Sequence, residues 1–360
     1  MTAPRQRRAW PAPLALLALA ALASVAILWL RPARSFQAEY LVFGSHASVQ
    51  LRSTEAARAE DALDRIGQLL REDHRDWHAW EPGALTELNA ALAAGHAQRP
   101  PDTLLALIRE ARRGHALSGG LFNPAAGRTF AAWGFHTSDY PVRTAAPDAR
   151  AIGRLQQAHA SMDDIVIADD GMVSSRNPAV ALDLNALSEG FAAGQIRDLL
   201  RDARIDDALI DVGGFVLALG DDGGTPWAVG VRGGEGLLAT LQLRDGEGLA
   251  SSGDYQRRRA GGSTANGHII DPRAGRPQRA SVAASVLGRD PVLVDMAATA
   301  LMVAGPDRMD RVANDMGVAC VALQAHDGTL HLSQAMQARL ALRPDPQRKV
   351  RIHALGDGPC

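Results

Sequence analysis

The amino-acid sequence predicts an α+β protein with mostly antiparallel sheets and helices packed on them. Segments with a two-residue apolar rhythm alternate with segments whose apolar residues recur at helical spacing, and several strand-like segments are joined by short turns. Of the 360 residues, 46% are hydrophobic and only 4% aromatic. We therefore expect a sizeable core built mainly from Ala, Leu, Val and Ile.

The N-terminal segment is predicted to direct the chain to a membrane. Residues 9–30 carry no charge, and the apolar run 14–30 follows three arginines. A buried core helix would not explain arginines on both flanks of that run. Residues 1–35 are assigned as a signal peptide or membrane anchor, since Ala33 and Ser35 offer a cleavage site. The domain at 36–340 and a tail at 341–360 should lie on the periplasmic side of the inner membrane, anchored or secreted.

The first half of the domain is predicted to be one hairpin followed by helices. Residues 39–52 alternate in polarity and are interrupted by Gly44, which is typical of a β-hairpin. The next segment starts with an N-capping Ser or Thr and continues with apolar residues at helical spacing. Helices are predicted over 53–77, 84–94, 102–117 and 150–160.

The second half is predicted to supply most of the sheet. A hairpin at 165–175 turns at Asp170 and Gly171, and a strand end leads into a long helix over 182–205. Strands are predicted over 207–220, 226–232, 237–243, 247–252, 268–272 and 281–288. Two helices, 292–305 and 306–315, and a hairpin at 318–333 complete the domain.

Composition excludes several function classes. Lys349 is the only lysine, so neither a Walker-type phosphate loop nor a Schiff-base lysine has a candidate. After the first 34 residues the chain has 33 basic and 40 acidic residues, which disfavours a nucleic-acid partner. Cys320 and Cys360 are too few for a zinc site or a disulfide framework. They could pair if the tail folds back, but a chain terminus is expected to fray.

Two acidic motifs are candidates for chemistry. Asp295 and Thr299 lie four residues apart on a predicted helix of small apolar residues, so they share one face. Carboxylate and hydroxyl oxygens are hard ligands of the kind that Mg²⁺ prefers. The alternative is that Asp295 caps the helix and Thr299 bonds to its own backbone. Asp183 and Glu189 flank the start of another helix, where helix capping is again the alternative.

Glycine pairs raise the question of a nucleotide-binding loop. Gly213 and Gly214 follow a strand, but no GxGxxG opens a helix within a βαβ unit. A Rossmann domain is therefore not predicted, and a tight turn is the simpler interpretation.

Seven segments, in order along the chain, together resemble the FAD:protein FMN transferases of the ApbE family. The resemblance covers roughly residues 39–325 and implies an ApbE-like, T-fold-like architecture. Phe43 and Asn123 replace the Met and Asp of the family pattern. The matching segments are 43–45, 85–89, 119–124 with 133–135, 183–190, 212–214, 251–255 with 268–277, and 295–301.

The resemblance implies a reaction and a set of partners. The family cleaves the pyrophosphate of FAD, attaches FMN through a phosphoester to a threonine of a membrane redox-complex subunit, and releases AMP. Mg²⁺ is implied at Asp295, Thr299 and a backbone carbonyl near Ala186. His268 is implied as the general base. An unperturbed imidazole has a pKa of about 6.5, so we expect the rate to climb through that region. FAD contacts are implied for Phe43, Trp80, Leu121, Phe122, Asn123, Asp183, Glu189, His268 and Ile270.

Three alternatives stay open from the sequence. His268 could be a structural histidine in a strand. The protein could hydrolyse FAD to FMN and AMP, with water in place of the threonine. It could also be a non-catalytic, membrane-tethered flavin-binding protein, although such a protein has no need of a metal pair and a base.

Overall fold

The structure is a computed structural model that describes residues 34–360, apart from 235, 256, 261–266 and 357–359. The predicted signal or anchor segment, with its apolar run at 14–30, lies outside the described residues. Among the helices that are described, none combines the length and the apolar character needed to cross a membrane.

Among the described residues, a hairpin is followed by a run of helices, and most of the strands lie in the second half of the chain. In chain order the elements are β1 (Arg34–Val42), β2 (Ser45–Ser53), α1 (Ala56–Trp77), α2 (Ala84–Ala93), α3 (Asp102–Leu117), α4 (Gly127–Ala132), α5 (Ala149–Gln157), β3 (Ile165–Ile167), β4 (Val173–Ser175), α6 (Asn185–Asp202), β5 (Asp207–Val212), β6 (Phe215–Leu219), β7 (Trp227–Gly233), β8 (Gly236–Leu243), β9 (Gly248–Gly253), β10 (Ile270–Asp271), β11 (Arg276–Pro277), β12 (Ser281–Gly288), α7 (Pro291–Ala304), α8 (Met309–Met316), β13 (Cys320–Ala325), β14 (Leu330–Ser333), α9 (Gln334–Gln337), β15 (Ala341–Leu342) and β16 (Val350–His353).

A nine-stranded sheet runs through the molecule in the order β1-β2-β5-β6-β9-β12-β13-β14-β16. Its neighbouring strands are antiparallel, except that β16 runs parallel to β14. A separate three-stranded sheet has the order β15-β8-β7. The predicted α+β class with mostly antiparallel sheets is therefore confirmed.

The two faces of the large sheet belong to two cores. On β5, Ala208, Ile210 and Val212 face the larger core, whereas Leu209 packs against the smaller one. Helices α1, α6 and α7 cover the first face, and the strands β7 and β8 supply much of the second core. This arrangement follows from the two-residue period of a strand, which places successive side chains on opposite faces.

Four local predictions differ from the structure. The segment 207–220, predicted as one strand, forms two antiparallel strands, β5 and β6, joined by a turn at Gly213 and Gly214. Helix α1 begins after Glu55 without a side-chain cap. The predicted capping residue, Ser53, accepts from the Glu55 amide and so does not reach an amide inside the helix. Residues 182–184 are not a strand before α6. Residues 268–272 do not extend the large sheet either, since β10 pairs only with β11 in a small hairpin of its own.

The C-terminal segment is part of the fold. In 341–360, predicted as a tail, β15 pairs with β8 and β16 pairs with β14. Cys320 and Cys360 form a disulfide. The expectation of a frayed terminus is thus wrong for Cys360, because the strand pairing that precedes it brings the chain end back to β13.

Candidate active site

One cleft gathers side chains from α6, α7, the end of β9, the loop after α3 and the segment before β10. Of the residues that the sequence singled out, eleven line it: Trp80, Leu121, Phe122, Asn123, Asp183, Ala186, Glu189, His268, Ile270, Asp295 and Thr299. Residues up to 219 positions apart in sequence thus meet in one place. The exception is Phe43.

Asp295 lies inside its helix and does not cap it. Helix α7 is capped by Asp290, whose side chain accepts from the Leu293 amide. The buried Asp295 carboxylate instead accepts a 2.9 Å hydrogen bond from the amide of Gly190 in α6. A Cβ on Gly190 would lie 2.4 Å from the Pro291 carbonyl oxygen, so only glycine permits this approach of the two helices. The helix-cap alternative is therefore wrong for Asp295.

Thr299 faces the same cleft one turn further along α7. Its Oγ1 lies 3.2 Å from the Oγ of Ser252 at the end of β9. The neighbouring Ser251 Oγ lies 2.9 Å from Ser285 Oγ on β12. The Thr299 hydroxyl is thus held towards β9 and is not taken up by its own helix.

Glu189 depends on the glycine turn between β5 and β6. A Cβ added to Gly213 would lie 2.1 Å from Oε1 of Glu189, and Gly213 has φ +66°. The Gly213-Gly214 pair is therefore a tight turn, as the simpler interpretation predicted. Because Gly213 has no side chain, the Glu189 carboxyl group can pack directly against this turn. Glu189 lies in the second turn of α6, so it is not a helix cap. Asp183 is closer to a cap, since it accepts from the Asn185 amide.

The carboxyl groups of Glu189 and Asp295 are tightly coupled. Burial, and then the negative charge of Glu189, raise the pKa of Asp295 well above its ordinary range. Burial raises the pKa of Glu189 to about 7, against the opposing effect of the Arg257 guanidinium. Two carboxylates in one low-dielectric site are costly unless a cation neutralises them.

The donors around this pair suit a hard divalent cation. Asp295 and Thr299 offer anionic and hydroxyl oxygens on one helix face. The Gly190 amide, which in a regular helix faces the Ala186 carbonyl, also faces Asp295 Oδ2. Ala186 and Asp295 both line the cleft. Mg²⁺ favours sites that supply only a few protein oxygens and leave space for water or phosphate ligands.

His268 is held as a neutral imidazole, and its Nε2 forms no hydrogen bond with the described residues. Its Nδ1 lies 3.2 Å from the Arg257 carbonyl oxygen, which can only accept, so Nδ1 carries the proton. The lone pair is then on Nε2. Removal from water, and then the positive charge of Arg257, lower the pKa of His268 to about 4. The expected value near 6.5 is thus wrong for this site, and the ring is unprotonated at neutral pH.

Trp80 forms one wall of the cleft and is supported from behind. Its ring stacks on His136 with centroids 5.2 Å apart and an angle of 22°. Nε2 of His136 lies 3.0 Å from Asp183 Oδ2. The Trp80 ring and the Asp183 carboxylate, which come from distant segments, are therefore held through one histidine.

The loop after α3 is fixed by backbone contacts. The Phe122 carbonyl oxygen lies 2.9 Å from His115 Nδ1, and the Phe122 amide donates to Ser118 Oγ. Asn123 donates through Nδ2 to the Ala160 carbonyl, while its buried Oδ1 has no partner among the described residues. Asn123 thus lines the cleft with a neutral amide in place of a charged aspartate.

Ile270 and Phe43 differ in placement. Ile270 lines the cleft and also packs with Phe135 and Val142 in a small core. The Phe43 ring is stacked on Trp77 with centroids 5.7 Å apart, away from the residues that line the cleft. Only its carbonyl reaches the site, by accepting from Arg257 Nη2. The structure therefore does not support a contact of the Phe43 ring with a ligand in the cleft.

Sequence reasoning missed Arg257, His136 and the specific role of Ser252. Arg257 follows the matched segment 251–255, and His136 follows the matched segment 133–135. Their positions beside motifs were the available signal. Nothing in the spacing showed that Arg257 would face Glu189 or that His136 would lie between Trp80 and Asp183.

A second group of possible metal ligands is less suited to a metal. His74, His78 and Glu81 bring ligand atoms within 4.8 Å of one another. However, Nδ1 of His74 accepts from the Phe43 amide, and Nδ1 of His78 accepts from the Glu81 amide. Both neutral rings then carry their proton on Nε2, so neither has a lone pair left for a metal.

Comparison with known proteins gives consistent matches. The model of the ApbE family matches residues 43–322. The "FAD:protein FMN transferase" of Rhodobacter capsulatus is 40% identical over 337 residues, which is 93% of this chain. The chain spans 64% of the length of that relative.

Solved structures share the fold. Flavin transferase ApbE from Vibrio cholerae superposes with a TM-score of 0.75 at 22% identity, covering 86% of this chain and 100% of that one. The ApbE protein from Thermotoga maritima gives a TM-score of 0.77 at 21% identity, covering 85% of this chain and 99% of that one.

Proposed function

The chain belongs to the ApbE family, and we propose that it is an Mg²⁺-dependent transferase that moves FMN from FAD to a threonine hydroxyl of another protein. The proposal draws on the printed name of the Rhodobacter capsulatus relative, "FAD:protein FMN transferase". The observation that carries it is the meeting of a neutral imidazole, His268, with the coupled carboxyls of Glu189 and Asp295 in one cleft.

The covalent step involves one bond formed and one broken. The threonine oxygen forms a bond to the phosphorus of the FMN half, and the P–O bond to the AMP half breaks. The hydroxyl proton passes to Nε2 of His268, and AMP leaves with the bridging oxygen. The ring is unprotonated at neutral pH, so Nε2 has a lone pair to accept the hydroxyl proton.

Asp295, Thr299 and the Ala186 carbonyl would hold the cation. When bound, Mg²⁺ supplies positive charge that offsets the charge of the pyrophosphate. Trp80 offers an apolar ring face for stacking, and Asp183 and Asn123 offer hydrogen-bond acceptors, which supports their proposed role in holding FAD. Leu121, Phe122 and Ile270 provide apolar surface beside them.

We also propose that the domain works outside the cytoplasm, tethered to or released from the inner membrane. The uncharged run at 14–30 supports export. The Cys320–Cys360 disulfide supports it independently, because disulfides persist in oxidising compartments. The acceptor proposed is then a threonine of a membrane redox-complex subunit that faces the same side.

The decisive experiment supplies FAD, Mg²⁺ and a candidate acceptor domain to the purified protein. Transfer predicts a flavin-fluorescent acceptor band in a denaturing gel and one AMP for each flavin attached. The matched control is the acceptor with its threonine replaced by valine, which should stay dark. Free FMN with AMP would instead identify a pyrophosphatase, and FAD binding without turnover would identify a carrier.

A further inference from the structure

Arg257 is a cation at the centre of an acidic cleft. It lies in the segment between β9 and β10 and lines the cleft with Glu189 and His268. Its Nη2 donates to the Phe43 carbonyl at 3.1 Å, which anchors one end of the guanidinium. Its own carbonyl accepts from the His268 amide at 2.9 Å and faces His268 Nδ1. The Arg257 backbone therefore positions both the Arg257 side chain and His268, the proposed base.

The charge of Arg257 reaches the reactive groups around it. It opposes the rise in the pKa of Glu189, and it contributes to the low pKa of His268. It also lowers the pKa of Tyr140, whose burial raises it. The guanidinium thus lies within electrostatic range of a carboxylate, a base and a phenol that share one cleft.

Two other arginines with an anchored guanidinium form ion pairs with acids. Arg273 pairs with Asp271 and Arg339 pairs with Glu247. Within the part of the chain that is described, no carboxylate lies within 4.0 Å of the Arg257 guanidinium. A guanidinium has five N–H donors, and one N–H of Arg257 Nη2 is hydrogen-bonded to the Phe43 carbonyl. The remaining donors are available to an anion that enters the cleft.

We propose that Arg257 binds phosphate oxygens of the FAD pyrophosphate and neutralises the negative charge that develops there as the P–O bond breaks. This inference rests on the proposed function and adds a catalytic residue to it. Arginine suits the role because its planar fork contacts phosphate oxygens in pairs and does not lose its charge. The Phe43 carbonyl would preorganise the guanidinium before FAD arrives, which lowers the cost of aligning it.

Binding measurements separate this role from a structural one. Arg257→Gln should weaken the binding of FAD and of ADP-ribose by about 10- to 100-fold, since a charge-assisted hydrogen bond is lost. Riboflavin, which has no phosphate, should bind within about twofold of wild type. Both are followed by titration calorimetry in EDTA, so that the result does not depend on the metal. Arg257→Lys should recover part of the FAD affinity, because a charge remains.

The matched control is Arg258→Gln, which removes an exposed arginine next in sequence. It should leave FAD and riboflavin affinities unchanged. Catalytic rate adds a second readout: with saturating FAD and Mg²⁺, Arg257→Gln should slow transfer by about 10²- to 10³-fold.

Two results would overturn the inference. Equal weakening of FAD and riboflavin would show that Arg257 only shapes the cleft, and unchanged FAD affinity would show that it does not contact phosphate. If wild type binds FAD but transfers nothing, the proposed function fails, and the comparison of FAD with riboflavin still decides the role of Arg257.

Discussion

The Asp295 carboxylate and the Gly190 backbone amide are joined by a 2.9 Å hydrogen bond that crosses from α7 to α6. This contact holds a buried acid near Glu189, whose negative charge adds to the effect of burial in raising the pKa of Asp295. A site of this kind is destabilising when empty and favourable when a cation fills it.

Replacing the metal-facing acid should change the response to Mg²⁺. Asp295→Asn should lower transfer by orders of magnitude at low Mg²⁺ and recover in part when Mg²⁺ is raised, because one anionic oxygen is lost while other ligands remain. The measurement is rate against Mg²⁺ concentration. Asp290→Ala is the control, since Asp290 caps the same helix. It should cost about 0.5–2 kcal/mol of stability without changing the Mg²⁺ dependence. If Asp295→Asn leaves the Mg²⁺ dependence unaltered, Asp295 is not a ligand of the metal.

The stability of the metal-free protein should fall as pH rises. The pKa of Glu189 is about 7 in the folded protein, above its ordinary value of 4.5. A raised pKa means that the folded state holds its proton more tightly, so stability is complete below about pH 4.5 and is lost as pH approaches 7. Urea denaturation in EDTA should show this loss, and Glu189→Gln should reduce it. Added Mg²⁺ should also reduce it for wild type, because the cation compensates the ionised carboxylates.

Asp73 provides a control for the effect of pH alone. It is buried in α1, and burial raises its pKa to about 8. It does not line the cleft. Asp73→Asn should therefore reduce the loss of stability at pH 7.5 by about 1 kcal/mol or more, equally with and without Mg²⁺. A Glu189→Gln variant that behaves in the same metal-independent way would contradict the cation site.

Removing the imidazole should separate chemistry from binding. His268→Ala should keep FAD affinity near that of wild type, while transfer falls by roughly 10²- to 10⁴-fold. Because the pKa of His268 is about 4, the wild-type rate should stay flat from pH 6 to 8 and decline only at more acid pH. Stopped-flow or quenched assays under chemistry-limited conditions test this. A rate limb centred near pH 6.5 would show that the ring titrates as an exposed histidine does.

The disulfide should stabilise the fold without affecting the site. Cys320 and Cys360 are 40 residues apart, so their link restricts a sizeable loop of the unfolded chain. Cys360→Ser should lower the free energy of unfolding by about 2–4 kcal/mol, and reductant should lower that of wild type similarly. FAD affinity should not change. Identical urea midpoints for oxidised wild type and Cys360→Ser would show that the link adds no stability.

The sequence by itself determined the fold class and most of the elements. Alternating apolar residues predicted the β1–β2 hairpin, and helical spacing predicted α1, because both periods reflect local backbone geometry. The resemblance also predicted eleven residues of the cleft by their order along the chain. These inferences needed no knowledge of which strand neighbours which.

Tertiary structure decided how those residues act. The Asp295 carboxylate reaches the Gly190 amide only because α6 and α7 pack so closely that a Cβ at position 190 would clash with the Pro291 carbonyl. No local sequence pattern encodes that distance. The Phe43 ring stacks on Trp77 and does not line the cleft. Its carbonyl oxygen contributes instead, by accepting a hydrogen bond from Arg257. The pKa of His268 follows from removal from water and one nearby charge, both properties of the assembled site. Electrostatics and close packing depend on distances between remote segments, which the order of residues does not state.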